Sequence, residues 1–270
     1  MNKATALIKY NKNSLATQDT LDNMLKAIVK NMEGLILQDV ATTIKNGGTK
    51  IEVIDKLYRA EFWKDNQERL YNSKDKMLDK FFNIYKKDID TLKAIYPEAQ
   101  FDMTTLDYQI RQFDTFLTKE LDIIKLMKVT EMEAVGLVRM AQFGNITDNE
   151  GLIKIIEGGL KRPIAHLETR LKTTQSVIYR GNRNKFYKTI KEADKEYVYA
   201  GPSDAVTRDF CRRNLGKIKT EKVWRSTPNY QIGDAWTFGG GYNCRHATYL
   251  VTKNWTEEEK QLLQDDFKVK

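Results

Sequence analysis

The side chains with the most distinctive chemistry sit near the C-terminal end. The chain holds two cysteines and two histidines in 270 residues. Three of those four, Cys211, Cys244 and His246, share one segment. Thiolate and imidazole suit zinc, and a small module gains folding energy from a bound ion. Asp204 or a water would then supply the fourth ligand. No C-x-x-C pair is present, so two other readings stay open. One is a close cysteine pair that can be reduced or oxidised, and the other is burial of both thiols as small apolar groups. Cys211 and His246 could also act as nucleophile and base, with Asp204 or Asn243 orienting the imidazole. No protease signature surrounds either residue. A metal-dependent nuclease wants clustered carboxylates and histidines. The other histidine, His166, lies in a basic stretch and reads as an ordinary one. There is no Walker loop and no G-x-G-x-x-G, so nucleotide chemistry has no support.

Polar residues around this trio read as structural ties. Asp204 stands just before a short helix and four residues from Arg208, a spacing that suits helix capping and ion pairing. Arg212 and Arg245 have the fork geometry to tie that helix to the last strand. Asn243 suits a turn, and Gly239-Gly240-Gly241 demands an irregular loop. Trp224 and Trp236 are the natural cover for a core this small.

The elements that must position these residues fall into two kinds. From Ser14 to about Lys195 the pattern is helical. Leu21, Leu25, Ile28, Val29, Met32, Ile36 and Val40 paint one apolar stripe, and Asn46-Gly47-Gly48 supplies a stop. Further helices are expected over Lys50–Asn72, Asp75–Tyr96 (ended by Pro97), Thr104–Met127, Glu131–Gln142 and Asn149–Glu157. A long basic helix should start at Pro163, since proline is tolerated in a first turn, and run to Ala193. The composition then changes. Six of the 15 glycines, three of the four tryptophans and both cysteines lie between Tyr197 and Trp255. Tyr197–Tyr199 and Ala247–Val251 read as strands. Val223–Arg225 reads as a strand or turn, and Thr256 caps a last helix. The expected fold is mainly α: an elongated helical N-terminal region (1–160), a long basic connecting helix (161–195), and a small α+β module (196–270).

The net charge of +8, from 45 Lys+Arg against 37 Asp+Glu, is mild for this length. It is concentrated in residues 161–195, which hold ten Lys/Arg and three Asp/Glu. Lys161, Arg162, Arg170, Lys172, Arg180, Arg183, Lys185 and Lys188 are candidates to meet DNA or an acidic partner, against the plainer reading of a solvated helix face. No apolar run approaches the length of a membrane span. The N-terminus lacks an apolar core of signal-peptide length. Synthesis and folding in a cytosol are expected, with no membrane partner.

Read in order, the module runs Tyr199-Ala200-Gly201-Pro202-Ser203-Asp204, then Thr207-Arg208-Asp209-Phe210-Cys211-Arg212, then Gly216-Lys217. After an intervening segment comes Gly239-Gly240-Gly241-Tyr242-Asn243-Cys244-Arg245-His246. This order resembles the C-terminal module of the phage Mu F-like head morphogenesis (minor capsid protein) family. Members share an aromatic strand, a G-x-x-D turn, a T-R-x-x-C-R-type helix, a G-K step, and a Gly-rich loop leading into N-C-R-H or C-R-C. A long helix precedes the strand. Many members carry His where Cys211 stands. The likeness spans about residues 161–251 and leaves the first 160 outside. It implies a structural, non-enzymatic minor capsid protein of a tailed phage, in the virion head near the portal and in the host cytoplasm during assembly. Its partners would be the portal, other capsid proteins and packaged DNA, in an oligomeric setting. Its part would be in head assembly, DNA packaging or ejection. The cysteine pair would be reduced during assembly and oxidised in the released particle. Alternatives are a virion-carried effector or toxin-type enzyme such as a nuclease, and a DNA-binding protein using the basic helix.

Overall fold

A computed structural model describes residues 2–46, 59–123, 125–126, 149–192, 195–252 and 255–267. The protein is mainly α, with one three-stranded antiparallel sheet near the C-terminus. The long helices are α1 (Lys3–Lys45), α2 (Lys64–Ile95), α3 (Thr104–Glu120) and α4 (Asn149–Lys188). Then follow β1 (Glu196–Ala200), α5 (Asp209–Asn214), β2 (Ile218–Thr220), α6 (Glu221–Arg225), α7 (Ala235–Phe238), β3 (Ala247–Val251) and α8 (Glu257–Phe267).

Several boundaries differ from the sequence reading, each for a local reason. Two expected helices merge into α2, because Asn72-Ser73 does not break it: Ser73 Oγ donates back to Arg69 O at 3.1 Å and stays within the helix. Helix α3 ends at Glu120 rather than Met127. There the Gln67 amide takes over, donating to Leu121 O and accepting from Ile123 N, both at 2.8 Å. Helix α4 starts at Asn149 and holds Pro163 in its interior, so the proline does not mark a first turn. Val223–Arg225 belongs to helix α6, where the Thr220 hydroxyl accepts from Val223 N. Helix α8 has the expected cap, with the Thr256 hydroxyl and Glu259 carboxylate exchanging bonds with each other's amides. The expected stop at Gly47-Gly48, the start of a helix at Lys50, the helix Glu131–Gln142 and the helix end at Ala193 lie outside the described residues.

The chain condenses into two compact units whose limits cut across the expected divisions at 160 and 195. One holds Met1–Asp22, Lys80–Phe113 and Lys172–Lys270, and the other Asn23–Asp79 and Asp114–Leu171. In the second unit the apolar stripe of α1 is buried (Leu25, Ile28, Val29, Met32, Ile36, Val40), as are Leu117 and Leu121 and, from α4, Leu160 and Leu167. Its buried Lys74 ammonium is satisfied by Asp114, Asp75 and the Thr118 hydroxyl.

In the first unit strands β1 and β3 are buried on both faces. The strand order is β2-β1-β3, and Val198 pairs with Tyr249 while Tyr199 pairs with Thr248. Opposed residues share a face. Tyr249, with Val198, faces α1 and α4: the Tyr10 ring meets it edge-on at 5.9 Å, and the Arg183 guanidinium lies 4.8 Å from its centre. The same guanidinium covers Tyr179 at 4.4 Å, and its Nη1 donates to Ser14 Oγ. Nearby, the buried Asp88 carboxylate accepts from the hydroxyls of Tyr10 (2.8 Å) and Tyr179 (2.7 Å). Burial pushes the Asp88 pKa up, and the charge of Arg183 and the two phenols pull against it. Tyr96 Oη donates to Leu250 O at 2.7 Å, fixing α2 to β3. The sheet is thus not an independent domain, because helices supply the cover for one of its faces.

Arg183→Ala should unfold the first unit more easily. It removes two cation–aromatic contacts and leaves Asp88 without its nearest buried cation. A desolvated cation–aromatic contact is worth about 2 kcal/mol, and a denaturant midpoint measured against wild type would show the loss.

Candidate metal centre

Strand β1 carries Tyr199 on the face opposite Tyr249, pointing toward α5. Past its end the chain turns: the Thr207 hydroxyl accepts from Asp204 N and donates toward Pro202 O and the Asp204 carboxylate. Helix α5 then opens with Arg208 as its N-cap and buries Phe210, Cys211 and Asn214. Asp204 therefore neither caps this helix nor pairs with Arg208. Its carboxylate takes Arg245 and Thr207 instead, while Arg212 reaches Asp204 O at 3.3 Å. Burial works against ionisation of Asp204, but the bonds from Thr207 and Arg245 outweigh it and hold its pKa below the usual value. Arg208 crosses to the glycine loop, donating to Tyr242 O at 2.6 Å and Gly240 O at 3.5 Å. Gly216 N and Lys217 O bond the backbone of Tyr199, extending the β1–β2 pairing.

The glycine loop is shaped by the sulfurs it wraps. A Cβ on Gly240 would overlap Cys211 Sγ, and one on Gly239 would sit 2.9 Å from Cys244 Sγ. Asn243 takes the left-handed conformation at φ 53°, as its residue type allows. Its N–H donates to Thr173 Oγ1 of α4 at 3.1 Å. These constraints bring Cys211, Cys244 and His246 together. All three are buried, and their donor atoms lie within 4.8 Å of one another. The two sulfurs are 3.8 Å apart and unbonded, and Cys244 Sγ is 3.6 Å from His246 Nδ1. This cluster could hold a metal ion.

Cys244 is the more acidic of the two thiols. The neighbouring Cys211 thiol donates to it and pulls its pKa well down against the effect of burial, with help from His246 and Arg180. Gly240 N (2.9 Å) and His246 N (3.4 Å) also donate to this sulfur. The Cys211 thiol is pushed up by the same hydrogen bond and by burial. Backbone N–H groups aimed at a sulfur are the kind of outer support that a thiolate ligand needs. Among the described residues His246 Nε2 is buried without a partner.

Arg180 was missed as part of this site. Its guanidinium, 2% exposed, donates to Thr237 O (2.9 Å), Cys244 O (2.8 Å) and His246 O (3.1 Å). Arg180 and Arg183, expected on a DNA-facing stripe, are core residues. Part of the signal was present: Arg183 lies four residues after Tyr179 and three before Phe186, both buried, whereas Arg180 shares its register with Ser176 and Tyr187. Of the remaining stripe, Lys161, Arg162, Arg170, Lys185 and Lys188 are exposed, and Lys172 is half-buried. Arg170 pairs with Glu120 at 2.7 Å and Lys188 with Glu221 at 3.8 Å. His166 is exposed. Among the described residues no helix is long and apolar enough to cross a membrane.

No protein-family model matches this chain, and neither a curated protein nor a solved structure does.

Gly240→Ala should destabilise the module by overpacking, at about 1–3 kcal/mol. Thermal unfolding of the purified variant beside wild type measures it, and an unchanged midpoint would contradict the close approach of loop and sulfur.

Proposed function

We propose that this chain is a minor head protein of a tailed bacteriophage, bound inside the head near the portal, and that one zinc ion staples its sheet module. What supports the first part is that the T-R-D-F-C-R helix and the N-C-R-H segment, the two halves of the family-like motif, meet at the Cys211 and Cys244 sulfurs, while Arg208 bonds the glycine loop and Arg245 pairs with Asp204 of the turn. A motif split over some thirty residues has little reason to converge on one buried cluster unless it is a unit. The role needs no catalytic step. Exposed cations of α4, such as Lys161 and Lys185, are candidates to meet packaged DNA or an acidic capsid surface.

The choice of zinc rests on donor chemistry and spacing. A tetrahedral zinc with bonds of about 2.3 Å to sulfur and about 2.0–2.1 Å to nitrogen has edges of about 3.8 Å between sulfurs and about 3.6 Å from sulfur to nitrogen. Two of the three separations here, 3.8 Å between the sulfurs and 3.6 Å from Cys244 Sγ to His246 Nδ1, match those edges, and the third pair of donors, within 4.8 Å, must draw closer as the ion enters. A disulfide would need the sulfurs to close to about 2.05 Å, and it would leave His246 Nδ1 with no part in the cluster.

Particles purified from the source phage should contain the chain in few copies, counted by quantitative mass spectrometry, and its absence from them rejects the virion role. Elemental analysis should find about one zinc per chain, and none after Cys244→Ser. With free zinc at about a thousand times its Kd, the ion contributes about 4 kcal/mol of stability, so chelation should lower the melting temperature.

A further inference from the structure

We infer that the Tyr199 hydroxyl is the fourth donor of the Cys211–Cys244–His246 centre, which makes the site closed and structural, with no position for a water or a substrate. This rests on the metal reading above and adds what completes it.

Geometry comes first. Tyr199 Oη lies 3.5 Å from Cys211 Sγ and 3.9 Å from Cys244 Sγ. A zinc–oxygen bond of about 2.0 Å and a zinc–sulfur bond of about 2.3 Å give an oxygen–sulfur edge of about 3.5 Å. The separation from Cys211 Sγ equals that edge, and the hydroxyl must close by about 0.4 Å on Cys244 Sγ to reach the fourth corner of the tetrahedron. Its ring lies parallel to His246, with an interplanar angle of 9°, and packs against Phe210 and Trp224, so its aim is set by packing. Tyr199 is fully buried. Asp204, the other protein candidate for this corner, is occupied by Arg245 and Thr207, and its side chain is 38% exposed.

Charge is the second, independent observation. The Arg180 guanidinium is buried beside the cluster, and its carbonyl acceptors bring no negative charge. A divalent ion with two thiolates is neutral, so a neutral fourth ligand would leave the Arg180 cation buried without a counter-charge. That is costly in a low-dielectric interior. With a phenolate as fourth donor the metal complex carries one negative charge, and Arg180 cancels it. As the ion enters, the protons of the ligating thiols and of the phenol leave to solvent. No electron is transferred.

The test uses the full chain with its ion replaced by Co2+, whose visible d–d bands report coordination number and donors. Wild type should show four-coordinate bands that azide leaves unchanged. Tyr199→Phe should still bind Co2+, more weakly than wild type, with shifted bands that move again when azide takes the opened corner. Azide-sensitive wild-type bands, or a variant whose bands match wild type and ignore azide, overturn the inference. If the variant does not fold, proton NMR of Co2+-loaded wild type decides. A ligating Tyr199 ring carries strongly contact-shifted resonances, and resonances at ordinary positions overturn the inference. A wild-type chain that takes up neither Zn2+ nor Co2+ shows no band at all, and that outcome removes the metal reading together with this one.

Discussion

A guanidinium sealed from water organises the C-terminal part of this protein. Arg180 donates to three backbone carbonyls, at Thr237, Cys244 and His246, on either side of the glycine loop. Those of Cys244 and His246 belong to irregular backbone outside the strands. Buried carbonyls need partners, and a charged donor supplies stronger ones than a neutral donor. Helix α4 thereby holds the end of α7, the loop and the start of β3 in one arrangement. The sulfurs, the imidazole and the phenol converge only because that backbone is held.

The same helix resolves the problem of a three-stranded sheet. Such a sheet has too little area to bury both faces by itself. Here α5, α6 and the glycine loop cover one face around Tyr199, while Tyr10 of α1 and Arg183 of α4 meet Tyr249 on the other. All five residues of β3 are buried as a result. Two arginines three residues apart on α4 thus serve two different interiors. Arg183 works beside Asp88 and the tyrosine rings, Arg180 beside the sulfur cluster. Each is a buried cation set close to groups that can carry negative charge, which is the condition under which such burial is tolerated.

The sequence by itself determined much of the element inventory. Three- and four-residue apolar spacing is a property of local geometry, so the helical character of α1–α4 was legible. So were strands β1 and β3, the cap of α8, and the turn at Asn243. The trio of Cys211, Cys244 and His246 could be named because cysteine and histidine are scarce here and clustered in one segment. Tertiary structure alone decided the rest. Composition changes near residue 196, yet the compact unit reaches back to α1 and α2, because aromatic contacts such as Tyr10 with Tyr249 join residues far apart in the chain. Charge counting along α4 could not separate solvent-facing from core-facing arginines. Asp204 chose Arg245 over its sequence neighbour Arg208, since a bend in the chain, rather than helical spacing, set which cation it met. Nothing in the sequence marks Tyr199 as a neighbour of the two sulfurs. Only the packing of the whole face around it sets where its oxygen ends.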